Sequence, residues 1–192
     1  KVVRNKMANL CVSHVDTDLK SGVVTAREFS KRVRPGKQGH FSNVYDWLKQ
    51  SVDKDPLLVF IDDFAATGNS IIRGFENFLS NIKDENIYNF YYMGKRIVFF
   101  TLYSFPEASN NIKRKYPKLQ YYSINYIEDH LRAFDLNAEI FDSEKEIEFA
   151  KEILIQIGRE LYPQYPIGYG EMGALICFNN TIPNNSLPVF WA

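Results

Sequence analysis

Three apolar runs of strand length, each followed by a helix-period pattern, restrict this chain more than any other feature. The first, Leu57 to Ile61, is continuous, as expected of a strand covered on both faces. Ser70 to Lys83 follows, with Ile71, Ile72, Phe75, Phe78, Leu79 and Ile82 at helical spacing. Ile97 to Tyr103 reads as a second buried strand, Phe105 to Tyr116 as a helix with Pro106 in its first turn, and Leu119 to Ile127 as a third strand. Ser143 and Glu146 form a capping box that opens a helix to about Leu161, with Ile147, Ala150, Leu154, Ile157 and Leu161 as its apolar stripe. A last strand is expected at Ala174 to Phe178. Strands joined by helical crossovers predict an α/β fold built on an open, mostly parallel sheet.

Before Leu57 the pattern is helical and loop-like. One helix is expected from Ser21 to about Val33 and another from Ser42 to about Val52, with the basic, turn-rich "RPGKQGH" (Arg34 to His40) between them. The 192 residues suit a single domain: a helical part over 1–56, an α/β core over 57–178 and an Asn/Pro-rich tail over 179–192. Lys1 in place of methionine, and an apolar run before Ala192, read as cut ends, so a fragment of a longer chain is expected. A hydrophobic content of 45% excludes global disorder. Lys plus Arg equals Asp plus Glu at 23 each, so bulk attraction to nucleic acid or anionic lipid is not expected. No run reaches the ~20 apolar residues of a membrane span, and nothing resembles a secretion signal. Cys11 and Cys177, both flanked by apolar residues, read as reduced core cysteines of a cytoplasmic protein.

The stretch "LLVFIDDFAATGNSII" carries the chemistry. Asp62 and Asp63 are expected to leave the sheet at its carboxyl edge, where ligands bind in open α/β folds. Phe64 and Ala65 turn the chain, Ala66, Thr67 and Gly68 are small, and Asn69 and Ser70 open the next helix. Free N–H groups and a positive dipole end make such a terminus an anion site. Thr67 and Ser70 hydroxyls add donors, and Gly68 tolerates positive φ. A phosphate held there puts its sugar beside two carboxylates suited to a vicinal diol.

That stretch resembles the phosphoribosyl pyrophosphate (PRPP) loop of the type I phosphoribosyltransferases. The resemblance implies that Asp62 and Asp63 hold the ribose hydroxyls as catalytic carboxylates, while Ala65, Ala66, Thr67, Gly68, Asn69 and Ser70 bind the 5′-phosphate. It also implies Mg²⁺ carried by the substrate, with Asp62 and Asp63 as its nearest protein oxygens, and an oxocarbenium-like transition state. "IGYG" (Ile167 to Gly170) is similar to a late segment that stacks on the base, which makes Tyr169, with Tyr103, the base-side residues. The loop and "GALICFNNTIPNNSLPVFW" are similar to phosphoribosyltransferase-like domains of bacterial conflict systems, some encoded beside retron reverse transcriptases. In that setting the chain is an antiphage effector acting on PRPP or a nucleotide, partnered by a reverse transcriptase or DNA-binding subunit, and its C-terminal end folds as a hood. The alternative is a non-catalytic nucleotide-sensing module that regulates a partner protein. "KSGVVTAR" (Lys20 to Arg27) and "RPGKQGH" are the candidates for the family's pyrophosphate-gripping turn.

Other features read as structural. A receiver domain also ends a strand in paired acids, but it needs a later aspartate and lysine that Ile97 to Ser104 and Leu119 to Ile127 do not supply. Glu128, Asp129 and His130 suit an exposed polar turn, and His14 and His40 the surface. Lys113, Arg114 and Lys115 suit a solvated helix face. Tyr121, Tyr122 and Tyr126 suit strand packing. Asn179, Asn180, Asn184 and Asn185 read either as turn formers or, by resemblance, as hood contacts.

Overall fold

The computed structural model describes residues 10–14, 21–33, 44, 47–48, 57–82, 97–178 and 182–192. They fall into two compact units, residues 1–126 and 127–192.

The N-terminal unit is built on four parallel strands in the order β1-β2-β3-β4: Leu10–Ser13, Leu57–Ala65, Ile97–Ser104 and Gln120–Tyr126. Helices α1 (Ser21–Val33), α2 (Asn69–Ser80) and α3 (Pro106–Lys115) follow the first three strands. Strand alternation sorts the core into two layers. Leu58, Phe60, Ile97, Phe99 and Tyr121 meet α2 and α3 through Ile71, Phe75, Phe78, Ala108 and Ile112. Val12, Val59, Ile61 and Val98 point the other way and pack with Ala26 of α1. Phe75 is the hub of the first layer, fully buried and edge-on or stacked against Phe60, Phe78, Phe99 and Tyr116.

Four differences from the sequence reading have physical causes. Leu10–Ser13 is a strand although residues 1–56 read as helix and loop; three apolar residues are too few to show a period, and pairing with Leu57 to Phe60 decides the matter. β2 does not stop at Ile61: its pairing with β3 runs on to Ala65↔Ser104, so Asp62 and Asp63 lie inside the strand. A parallel ladder uses backbone groups only, and charged side chains are no bar where the sheet reaches solvent. Ala174 to Phe178 forms no strand of this sheet; Ala174 makes only isolated bridges to Arg132 and Ser186. Cys177 is exposed, whereas Cys11 is buried as expected. Of the helix expected from Ser42, Val44, Trp47 and Leu48 are helical, with Trp47 and Leu48 buried; the rest lies outside the described residues.

The C-terminal unit holds α4 (Glu144–Leu161), whose Ser143 cap accepts from the Glu146 N–H at 3.4 Å while Glu146 reaches back to the Asp142 N–H at 2.8 Å. Its packed face follows the expected stripe through Ile147, Ala150 and Leu154 and departs from it at the end. Ile147 and Gly158 are buried, but Ile157 and Leu161 are 40% and 42% exposed. At Gly158 an added Cβ would sit 1.8 Å from the Pro166 carbonyl oxygen, so the returning chain lies against the helix backbone there. Residues 182–192 pack within this unit, with Ser186 buried and donating to the Ile176 carbonyl at 2.8 Å, and Trp191 donating to the Ser186 carbonyl at 2.9 Å. Among the described residues no helix is long and apolar enough to cross a membrane.

Truncating Phe75 removes the shared partner of four rings. Phe75→Ala is expected to destabilise the fold by about 3–5 kcal/mol, read from the urea midpoint. Burial pushes the Cys11 thiol up to about 12. A thiol reagent at pH 8 is therefore expected to label Cys177 and spare Cys11 until the chain is unfolded, as mass spectrometry would register.

Candidate functional site

α1, after β1, lies on one face of the sheet, and α2, after β2, lies on the other. Connections that part to opposite faces open a crevice between the carboxyl ends of neighbouring strands. Among the described strands the order itself does not reverse. Among the described residues, β1 pairs with β2 only as far as Ser13↔Phe60, and that edge of β2 is open from Ile61 onward.

Asp62 and Asp63 occupy that open stretch, both half-buried. One oxygen of Asp62 accepts the Asp63 N–H at 3.0 Å. The same Oδ1 sits where α1 begins: a Cβ on buried Gly22 would come within 2.8 Å of it. The Asp62 carboxylate therefore lies beside the first turn of α1. This gives one pyrophosphate-turn candidate a place, since Ser21 to Arg27 are the first turns of α1 beside Asp62. Lys20 and all of Arg34 to His40 lie outside the described residues.

The chain turns after Ala65, over Ala66, Thr67 and Gly68, and not at Phe64 as the sequence suggested. Gly68 caps α2 at φ +78° and its carbonyl accepts the Ile72 N–H at 2.9 Å. Ala65, Ala66, Thr67 and Gly68 are buried; Asn69 and Ser70 are exposed. The bend is thus closed beneath, because α3 packs under it, and open at the first turn of α2. A Cβ on Gly68 would lie 3.0 Å from both the Ala108 carbonyl oxygen and Ile112 Cγ1. The Thr67 hydroxyl, expected to face a ligand, accepts from the Asn69 N–H at 3.4 Å.

Sequence reasoning missed two supports of this bend. Asn111 of α3 donates from Nδ2 to the Thr67 carbonyl at 3.1 Å. A chain of buried hydroxyls fixes where α3 starts. Thr101 Oγ1 and Tyr121 Oη are 2.9 Å apart, Tyr121 also bonds Ser104, and Ser104 donates to the Phe105 carbonyl at 2.8 Å. The Phe105 N–H then donates to the Ala65 carbonyl at 3.1 Å. Burial pushes the Tyr121 phenol above its ordinary value, and the charge of Asp62 adds to that shift. Asn111 carries no motif signal; Thr101 and Ser104 were visible only as polar breaks in an apolar strand.

Tyr103 is 38% exposed on β3, in register with Phe64. Tyr169 belongs to the C-terminal unit, where its ring lies 4.8 Å from that of Tyr165 and Asn185 donates to its carbonyl at 2.9 Å. Buried Asn185 is thus a turn former, and Asn179 and Asn180 lie outside the described residues. Glu128 pairs with His130 at 3.2 Å and Asp129 with Arg132 at 3.1 Å in a largely exposed turn. Lys113, Arg114 and Lys115 are exposed, with Lys115 paired to Glu76 at 3.1 Å; Tyr121 is core, and Tyr122 stacks on Phe100 at 5.5 Å. His14 is half-buried and His40 lies outside the described residues. Among the described residues no group of three or more His, Cys, Asp or Glu could hold a metal without a ligand's help.

Gly68→Ala forces a side chain into the left-handed region and against α3. It is expected to cost about 1–3 kcal/mol, measured by urea denaturation.

No curated protein matches this chain. Among solved structures it is similar to orotate phosphoribosyltransferase from Aeropyrum pernix, at 19% identity over 66% of this chain and 70% of that one, with a TM-score of 0.37. A family model described as PRTase-CE matches residues 1–192. The chain belongs to that family, and is phosphoribosyltransferase-like.

Proposed function

We propose that the chain binds PRPP, or a nucleotide, through Asp62 to Ser70 and acts on it as an effector enzyme of bacterial antiphage defence. One observation carries the reading: two half-buried carboxylates on β2 run directly into a glycine-capped bend that opens α2. The first N–H groups of α2 suit the 5′-phosphate, and Asn69 and Ser70 are exposed to receive it. Asp62 and Asp63 then lie within reach of the ribose hydroxyls, and their charge favours an oxocarbenium-like transition state. Half-exposed Tyr103 suits the base. Family membership supports this reading, and the likeness of the loop and of the C-terminal stretch to conflict-system domains supports the defence setting, a cytoplasmic location and a reverse transcriptase or DNA-binding partner.

Mg²⁺ fits the residues present. It binds through one or two carboxylates and substrate phosphates, keeping several waters, and adjacent Asp62 and Asp63 are such donors. Bound with the substrate, it would neutralise the pyrophosphate.

Calorimetry of the protein with PRPP and Mg²⁺ is expected to show saturable binding. Asp62→Asn/Asp63→Asn is expected to lower turnover by at least about 100-fold with the circular dichroism spectrum unchanged. Mass spectrometry of nucleotide pools provides the turnover assay, by pyrophosphate released or a base lost. Binding with no product, and ligand-dependent association with a partner that the double variant loses, marks the sensing module instead. Absence of binding by PRPP and by every nucleotide tested ends the reading.

A further inference from the structure

We propose that Asn111 is a positioning residue for the phosphate bend, acting through the Thr67 carbonyl to aim the Gly68 N–H at the ligand. The inference rests on the reading of Asp62 to Ser70 as a phosphate site and adds a residue from outside that stretch.

Peptide geometry fixes the direction of that N–H. A trans peptide is planar, and its C=O and N–H point in opposite directions. The carbonyl of the Thr67–Gly68 peptide accepts from Asn111 Nδ2 at 3.1 Å. It therefore points at α3, and the Gly68 N–H points away from α3. Glycine makes this peptide the easiest in the loop to rotate, because Gly68 lacks the Cβ that restricts other residues. Without a partner for the Thr67 carbonyl, rotation of that peptide would turn an oxygen in place of a hydrogen towards an incoming phosphate.

The amide of Asn111 is fixed at both ends. Its Oδ1 accepts from Arg114 Nη2 at 3.1 Å, so its nitrogen is the atom left for Thr67. An amide reversed about χ2 would set oxygen against oxygen at Thr67 and nitrogen against nitrogen at Arg114. Helix α3 is itself held at its start by Phe105, whose N–H donates to the Ala65 carbonyl at 3.1 Å. The donor thus stands on a rigid helix, one turn and a half beyond its cap.

The test uses the whole chain and ribose 5-phosphate, which carries the phosphate without the pyrophosphate. In the wild type, the Gly68 amide proton is expected to shift downfield on titration, followed by ¹H–¹⁵N correlation spectra. In Asn111→Ala, affinity is expected to fall about tenfold, the loss of one hydrogen bond to a charged group, and the Gly68 shift to vanish. Arg114→Ala is expected to retain both within a factor of about three, since it removes only the outer partner of the amide. Urea midpoints separate this from loss of fold, and Asn111→Ser repeats the measurement with a smaller change. Equal affinity and an equal Gly68 shift in wild type and Asn111→Ala overturn the inference and leave the phosphate site standing. A wild type whose Gly68 amide ignores ribose 5-phosphate overturns the loop reading and this inference together.

Discussion

The contact between the bend at Gly68 and helix α3 governs the arrangement of the candidate site. Two backbones meet there because one of them has no side chain: the Ala108 carbonyl and Ile112 already occupy the space a Cβ would need. What sets α3 in place is the register of β3 on β2, which brings Ser104 opposite Ala65 and lets Phe105 donate back to Ala65. The hydroxyls of Thr101, Ser104 and Tyr121 are almost wholly buried beside that junction. Each would cost about 1–3 kcal/mol if left unpaired. Linked to one another and to the Phe105 carbonyl, they are paired only when β3, β4 and α3 keep this register. Sheet register therefore reaches the bend at Gly68 through α3 and then through Asn111.

The two aspartates are not equivalent, although they are adjacent. In a strand successive side chains leave opposite faces, so Asp62 continues the row of Phe60 and Asp63 that of Ile61. The row of Asp62 leads along β3 and β4 to Thr101 and Ser123. Its carboxylate takes the next N–H in the chain and meets the start of α1. A pair of acids that looked like twin acceptors thus starts from opposite faces of one strand.

The α/β class, the three longer strands and the four helices were legible because apolar period survives in them. Phe75, Phe78 and Ile71 announce the buried face of α2, and the same residues form the core. Legibility failed where backbone, and not side-chain pattern, decides. β1 is too short to show a period and is fixed by its partner. β2 overruns its apolar run because a ladder does not read side chains. α4 leaves the end of its stripe, Ile157 and Leu161, exposed, while the Pro166 carbonyl comes onto its backbone at Gly158. At the candidate site the acids, the bend and Gly68 were visible as residue types, but Asn111 and Gly22 became visible only through long-range contacts, from helices 44 and 40 positions away in the chain.

Electrostatics sharpens what the proposed site must contain. From Leu57 to Ile72 there is no lysine or arginine, while two carboxylates stand beside the bend. Two like unit charges held about 7 Å apart repel by roughly 2 kcal/mol at an effective dielectric of about 20, so carboxylates this near a phosphate oppose it. A helix terminus returns about 0.3–1 kcal/mol and each charge-assisted N–H bond about 1.5–3 kcal/mol. The amides of the bend can offset the acids only if most of them point at the phosphate at once, which is what a glycine pinned against α3 and a carbonyl held by Asn111 enforce. Pyrophosphate brings more negative charge and no further α2 amides, so under this reading it calls for further compensation, for which the start of α1, a divalent cation arriving with the substrate and the basic residues of the two pyrophosphate-turn candidates are the sources at hand. Within Asp62 to Ser70 itself, oriented neutral groups and not basic side chains are what a phosphate would meet.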